Sequence, residues 1–144
     1  LKNRGVYLKN NRIDEDVGKE QQEKINSQIQ TGYYLKTLRL EHELSLTALG
    51  NKLGVSAAYL SNVETGVKPM SDHFVRQIAD FYKLDENVLF DLLGRVPLLA
   101  REQLDEDSNL QHLLSEIKRN KKLTEEKKQK LFQQMYNLYK NFPE

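Results

Sequence analysis

Ser56, Ala57, Ala58, Tyr59, Ser61 and Asn62 stand together at helical spacing, and their chemistry is that of close approach and hydrogen bonding. Asn62 carries an amide that can donate and accept at a base edge, Ser61 adds a hydroxyl, and the two alanine methyls suit only apolar contact with thymine. Lys52, Lys68 and Arg76 flank this surface in sequence and could line the phosphates of a duplex. A set of this kind permits close approach to a groove without by itself identifying what is bound.

Other chemistries lack their residues. The chain has no cysteine, which removes disulfides, thiolate zinc sites and cysteine nucleophiles together. His42, His73 and His112 are far apart with no acid-rich ligand spacing, so no metal or other cofactor is expected and the three read as surface residues. Asp105, Glu106 and Asp107 read as a solvated linker, because a catalytic carboxylate pair needs a cleft. No enzyme activity is expected.

The 144 residues amount to one domain with appendages. Apolar content is 38%, below the roughly 45–50% of ordinary globular chains, so part of the chain is solvated tail. With 22 Lys and Arg against 21 Asp and Glu, the net charge of +1 selects no partner by itself. The longest apolar stretch, Val88 to Ala100, is broken by Asp91, Arg95 and Pro97, and the basic start at Lys2 and Arg4 lacks the apolar region of a signal peptide. The expectation is a soluble, cytoplasmic protein with no membrane partner.

The elements that must position the reading surface follow from periodicity and punctuation. Lys2, Arg4, Lys9 and Arg12 precede the first acid, Asp14, and form a basic arm; Ile13, Val17, Ile25 and Ile29 then suggest a polar, weakly amphipathic helix that Gly18 weakens. From Thr31 to about Leu93 the spacing predicts five short helices. Tyr34, Leu35 and Leu38 face inward on the first, which ends near Glu43. Ser45 caps a second helix with Leu46, Leu49 and Leu53 inward, and Ser56 caps a third that buries Tyr59, Leu60 and Val63. Ser71 caps a fourth, with Phe74, Ile78 and Phe81 inward, and Asp85 a fifth carrying Val88, Leu89 and Leu92. Gly50 marks a close helix crossing and Gly54 a left-handed turn.

Beyond Pro97 only helices are expected. Ser108 and Gln111 read as a capping box before Leu110, Leu113, Leu114 and Ile117, and Thr124 caps a last helix. Lys118, Arg119, Lys121, Lys122, Lys127, Lys128 and Lys130 are basic, but Glu125 and Glu126 interrupt them and exposed lysines are ordinary surface. Leu131, Phe132, Met135, Leu138, Tyr139 and Phe142, widened by Tyr136, make a broad apolar face, for which self-association is the expectation.

Two short helices joined by a three-residue turn between Leu44 and Gly66 match a helix-turn-helix in spacing. The pattern Leu44-Ser45, Leu53-Gly54-Val55-Ser56, Tyr59-Leu60-Ser61 and Glu64-Thr65-Gly66 resembles the Cro/repressor-type (Xre) helix-turn-helix family over residues 31 to 93. The resemblance implies a five-helix, lambda-repressor-like domain whose third helix enters the major groove of double-stranded DNA. It also implies that Arg39 pairs with Glu64. Two departures are visible: Leu46 stands where the family usually has a phosphate-gripping Gln, and Ala57 and Ala58 where long polar readers are common.

The reading is therefore an all-α chain in three parts: a basic arm with a polar helix over 1–30, a helix-turn-helix domain over 31–97, and a C-terminal helical segment over 98–144 for dimerisation or partner binding. Residues 31–97 carry seven basic and eight acidic side chains, so adhesion to DNA must lean on the arm and on pairing of subunits. The expected function is a sequence-specific transcriptional regulator, a repressor acting as a homodimer on an inverted repeat. The alternative is an antitoxin or antagonist that binds a partner protein and DNA only secondarily.

Overall fold

A computed structural model describes the backbone of residues 4–143 and the side chains of residues 16–143. Lys2, and the side chains of Arg4, Lys9 and Arg12 in the expected arm, lie outside the described residues. Eight helices follow in order: α1 (Arg4–Glu41), α2 (Leu46–Leu53), α3 (Ala57–Glu64), α4 (Asp72–Tyr82), α5 (Glu86–Leu92), α6 (Leu98–Glu106), α7 (Ser108–Arg119) and α8 (Glu125–Lys140). Among the described residues there is no strand, and no helix is long and apolar enough to cross a membrane. The chain divides after Leu98 into two compact units.

In the first unit the arm and the first domain helix are one element. α1 runs without a break through position 30, where a boundary was expected, and Gly18 does not interrupt it. Residues 28–32 already belong to the domain's packing: Gln28 Nε2 donates to the Gly66 carbonyl at 2.7 Å, and the buried Thr31 hydroxyl is satisfied by the Ser27 carbonyl at 2.7 Å. A chain anchored at these positions has its helix nucleus supplied by tertiary contact, so the polar segment before it needs only to propagate.

Local capping chemistry delimits the next four helices. Ser45, Ser56 and Ser71 each accept a hydrogen bond from the amide three residues on, at 3.0, 3.0 and 3.2 Å, and Asp85 accepts from Asn87 N at 2.9 Å. Gly54 ends α2 at φ 70°, and Val55 N then bonds the Gly50 carbonyl at 2.9 Å, so the chain reverses at once into the Ser56 cap. α1 packs on α3 and α5, α2 on α3, and α4 on α5 around Leu49, Leu60, Val63, Val75, Ile78 and Leu89. The inward set on α5 differs from expectation. Val88 is 46% exposed, and Phe90, fully buried, takes the core position beside Leu89.

The second unit is sparser. Asp105 and Glu106 end α6 rather than forming a linker, and Asp107, not Ser108, caps α7: its Oδ1 accepts from Asn109 N and Leu110 N, both at 3.0 Å. A carboxylate one residue earlier outcompetes a hydroxyl because it carries charge into the positive end of the helix dipole. Gln111 accordingly bonds the Leu104 carbonyl instead of closing a capping box. Asn120 turns the chain between α7 and α8, accepting from Leu123 N and, through Oδ1, from Lys122 N, and Thr124 caps α8.

The tightest approach in the first unit is at Gly32, where an added Cβ would stand 2.4 Å from the Val63 carbonyl oxygen and 2.6 Å from that of Glu64. Backbone oxygens at a helix end cannot step aside without moving α3. Gly32→Ala is expected to lower stability by about 1–3 kcal/mol in denaturant unfolding. Gly18→Ala, in open space within the same helix, is expected to raise it by about 0.5–1 kcal/mol. Equal shifts in the two variants would contradict the close crossing.

Candidate nucleic-acid interface

The outward side of α3 is built from what holds its inner side. Leu60 and Val63 anchor it to the core at 2% and 1% exposure. At its N-terminus, Gly50 lets α2 approach the turn so closely that a Cβ would meet the Val55 carbonyl oxygen at 2.5 Å. At its C-terminus, Gly66 takes a left-handed φ of 74° and lies against Ile29 of α1, leaving no room for a side chain. The Asn62 carbonyl then accepts from Val67 N at 2.8 Å and Lys68 N at 3.0 Å, folding the following loop back beside α3.

An ion pair completes the clamp. Arg39 Nε and Nη2 donate to Glu64 Oε1 and Oε2 at 2.7 and 2.9 Å, and Nη1 donates to the Leu44 carbonyl at 2.8 Å. Both residues are 7% exposed, so one guanidinium ties α1 to the end of α3 and to the loop entering α2. The hydrogen bond to Glu64 raises the Arg39 pKa, against the opposite push of burial. Tyr82 and His42 border the pair, their rings edge-to-face at 4.8 Å, and burial raises the Tyr82 phenol, with the Glu64 charge adding to it.

On the presented side, Ser56 and Ala58 are exposed, while Ala57, Ser61 and Asn62 are half-buried. Tyr59 sits differently from these. Its ring packs edge-to-face on Phe74 at 5.2 Å, burial raises its phenol pKa, and Lys68 Nζ lies 6.0 Å over the ring. It backs the outward side of α3 and lies under Lys68. Lys52 and Lys68 are exposed near the two ends of this surface.

Arg76 departs from the expected phosphate-facing role. Its Nε and Nη2 donate to Glu86 Oε2 and Oε1 at 2.8 and 2.9 Å, a two-pronged pair that ties α4 to α5. Glu86 occupies the first turn of α5, where an acid is favoured, and the pair commits two of the guanidinium's donors to the domain's own packing. Ser56 and Tyr59 also border a groove next to the turn. This groove of about 380 Å³ runs between the starts of α3 and α4, lined by Val55, Ser56, Tyr59, Ser71, His73, Phe74 and Gln77. His73 is exposed there in the first turn of α4, as its reading as a surface residue anticipated, and the packing of α4 sets it beside the start of α3.

Apolar residues of α8 are also placed. Leu131 is half-buried, whereas Phe132, Met135, Leu138, Tyr139 and Phe142 are exposed.

Removing the Glu64 carboxylate leaves Arg39 buried without its counter-charge. Glu64→Ala is expected to cost about 3–5 kcal/mol, read as a lowered thermal midpoint. A midpoint equal to wild type would show that the pair carries no such weight.

No curated protein and no solved structure matches the chain. Residues 30–92, which contain α2, α3 and the turn between them, match the family model described as a helix-turn-helix domain, and the all-helical fold around them is that of such a domain.

Proposed function

We propose that this chain is a sequence-specific double-stranded DNA-binding regulator of transcription, a cytoplasmic repressor that acts as a homodimer on an inverted repeat. The observation that carries the reading is the rigid presentation of α3: a helix clamped at both ends whose outward side bears only small or amide side chains. Such a surface lets the helix backbone sink deep into a major groove. Asn62 supplies the hydrogen-bonding readout, Ser61 assists, and the methyls of Ala57 and Ala58 meet thymine. Lys52 and Lys68 hold phosphates, as do the basic residues Lys2, Arg4, Lys9 and Arg12. One α3 reads only a few base pairs, so two copies about 34 Å apart are required for a unique site.

The second reading, an antitoxin or antagonist that grips a partner protein, draws on the exposed apolar face of α8. Selection from a random duplex pool at stated salt separates the two. A recurring palindrome is expected, and failure to enrich any sequence would sink the regulator reading.

Asn62→Ala is expected to weaken binding to the selected site by about 1–3 kcal/mol and leave random duplex binding unchanged. Equal losses on both would remove Asn62 as a reader. Lys52→Ala and Lys68→Ala should each reduce the salt dependence of binding by about one phosphate contact, on any sequence. Arg76→Ala should leave that slope intact and lower the melting temperature, because its guanidinium is committed to Glu86. A reduced slope in this last variant would restore Arg76 to the phosphate-binding set.

A further inference from the structure

Within residues 99–143, Ile117 is the single buried side chain. A unit of this size with so little core usually needs disulfides, a metal or association to hold it. The chain has no cysteine, and the described His, Asp and Glu side chains form no group that could hold a metal ion. α8 meanwhile turns an arc of apolar side chains to solvent: Phe132, Met135, Tyr136, Leu138, Tyr139 and Phe142 are 39, 37, 53, 67, 71 and 70% exposed.

The area and charge of this arc select its occupant. At roughly 200 Å² for side chains of this size, the exposed portion is on the order of 650 Å² per copy. That exceeds the roughly 300–600 Å² of the largest patch on a typical monomer and approaches the roughly 800 Å² that each partner gives to a standard interface. Met135, Leu138, Tyr139, Phe142 and Pro143 line a shallow, open depression of about 540 Å³ on this arc. Between Leu131 and Phe142 the only charged residue is Lys140, whose ammonium lies over the rings of Tyr136 and Tyr139 at 5.5 and 5.8 Å. Glu125 and Glu126, at the other end of the helix, are paired with Lys128 and Lys130. A face with a single charge offers a highly charged partner little to pair with, and two copies of it can meet if each Lys140 stem lies along the rings and carries its ammonium to the rim.

We propose that the partner of this face is α8 of a second copy of the chain, so that two α8 helices meet across a two-fold axis and supply the core that each copy's second unit lacks. Its biological use, setting two α3 helices on two half-sites, rests on the DNA-binding reading; the association itself does not. A two-fold contact uses the same patch on both copies, which one self-complementary apolar arc satisfies.

Sedimentation of the full chain without DNA, over roughly 1–100 μM, tests the contact. Wild type is expected to be a dimer. Leu138→Lys and Tyr139→Lys alter side chains already turned to solvent, so each should weaken the dimer at least about tenfold without unfolding the monomer. Lys130→Ala, at an exposed lysine outside the apolar arc, should dimerise as wild type does. A wild-type chain that stays monomeric throughout, whether because another protein or its own first unit covers the face, overturns the proposal. So does a dimer that neither lysine variant weakens. A dimer that binds no duplex would defeat the DNA-binding reading and uphold this one, and a monomer that binds duplex would do the reverse.

Discussion

The crossing of α1 over the end of α3 is the constraint on which the presentation of α3 depends. Gly32 brings the two backbones within reach, and Arg39 locks them with a two-pronged bond to Glu64 and a third bond to the Leu44 carbonyl. A buried ion pair is a poor source of net stability, since desolvation offsets much of its attraction. Its value here is directional. Apolar contacts at Leu60 and Val63 would tolerate a rotated α3, whereas a planar guanidinium bonded to both carboxylate oxygens accepts one orientation. The same residues set which side of α3 faces away from the core.

That arrangement separates positioning from contact. The residues holding α3 are large, buried or charged, and those it presents are small. Tyr59 belongs to the first group although it stands in the middle of the second: its ring is bound to Phe74 and carries Lys68 above it. Arg76 and Arg95 likewise spend their charge inside the domain, on Glu86 and on Asp72 with the Met70 carbonyl. The domain's near balance of basic and acidic residues thus conceals a difference of roles. Arginines brace the scaffold, and the exposed lysines are left for solvent or phosphate.

The two units are built to different standards. Residues up to Leu98 hold nearly all of the buried apolar side chains, and the remainder holds one. α8 is well capped at Thr124 and has acids in its first turn and a lysine in its last, so its local signals favour a helix independently of any core. Helix formation and burial are therefore uncoupled in this segment. α8 is thus specified as a helix by its own sequence while one side of it stays apolar and exposed.

Caps and turns were legible from the sequence because they are local. Ser45, Ser56, Ser71, Asp85 and Thr124 act within three residues of themselves, and Gly54 needs its left-handed conformation whatever lies around it. The inward stripes of the second, third and fourth helices followed from periodicity for the same reason. Tertiary structure decided what involves groups distant in sequence. Whether α1 continued through Gly18 depended on its anchorage at Gly66, 38 residues from Gln28. That Arg76 pairs within the domain depended on a carboxylate ten residues away on another helix. The choice between Asp107 and Ser108 as cap was a contest of near-equal local signals, which charge decided, and the exchange of Val88 for Phe90 turned on which face a helix of only seven residues offers to its neighbours. The seven residues of α5 complete fewer than about two turns, so periodicity leaves its face open and the packing partner chooses it.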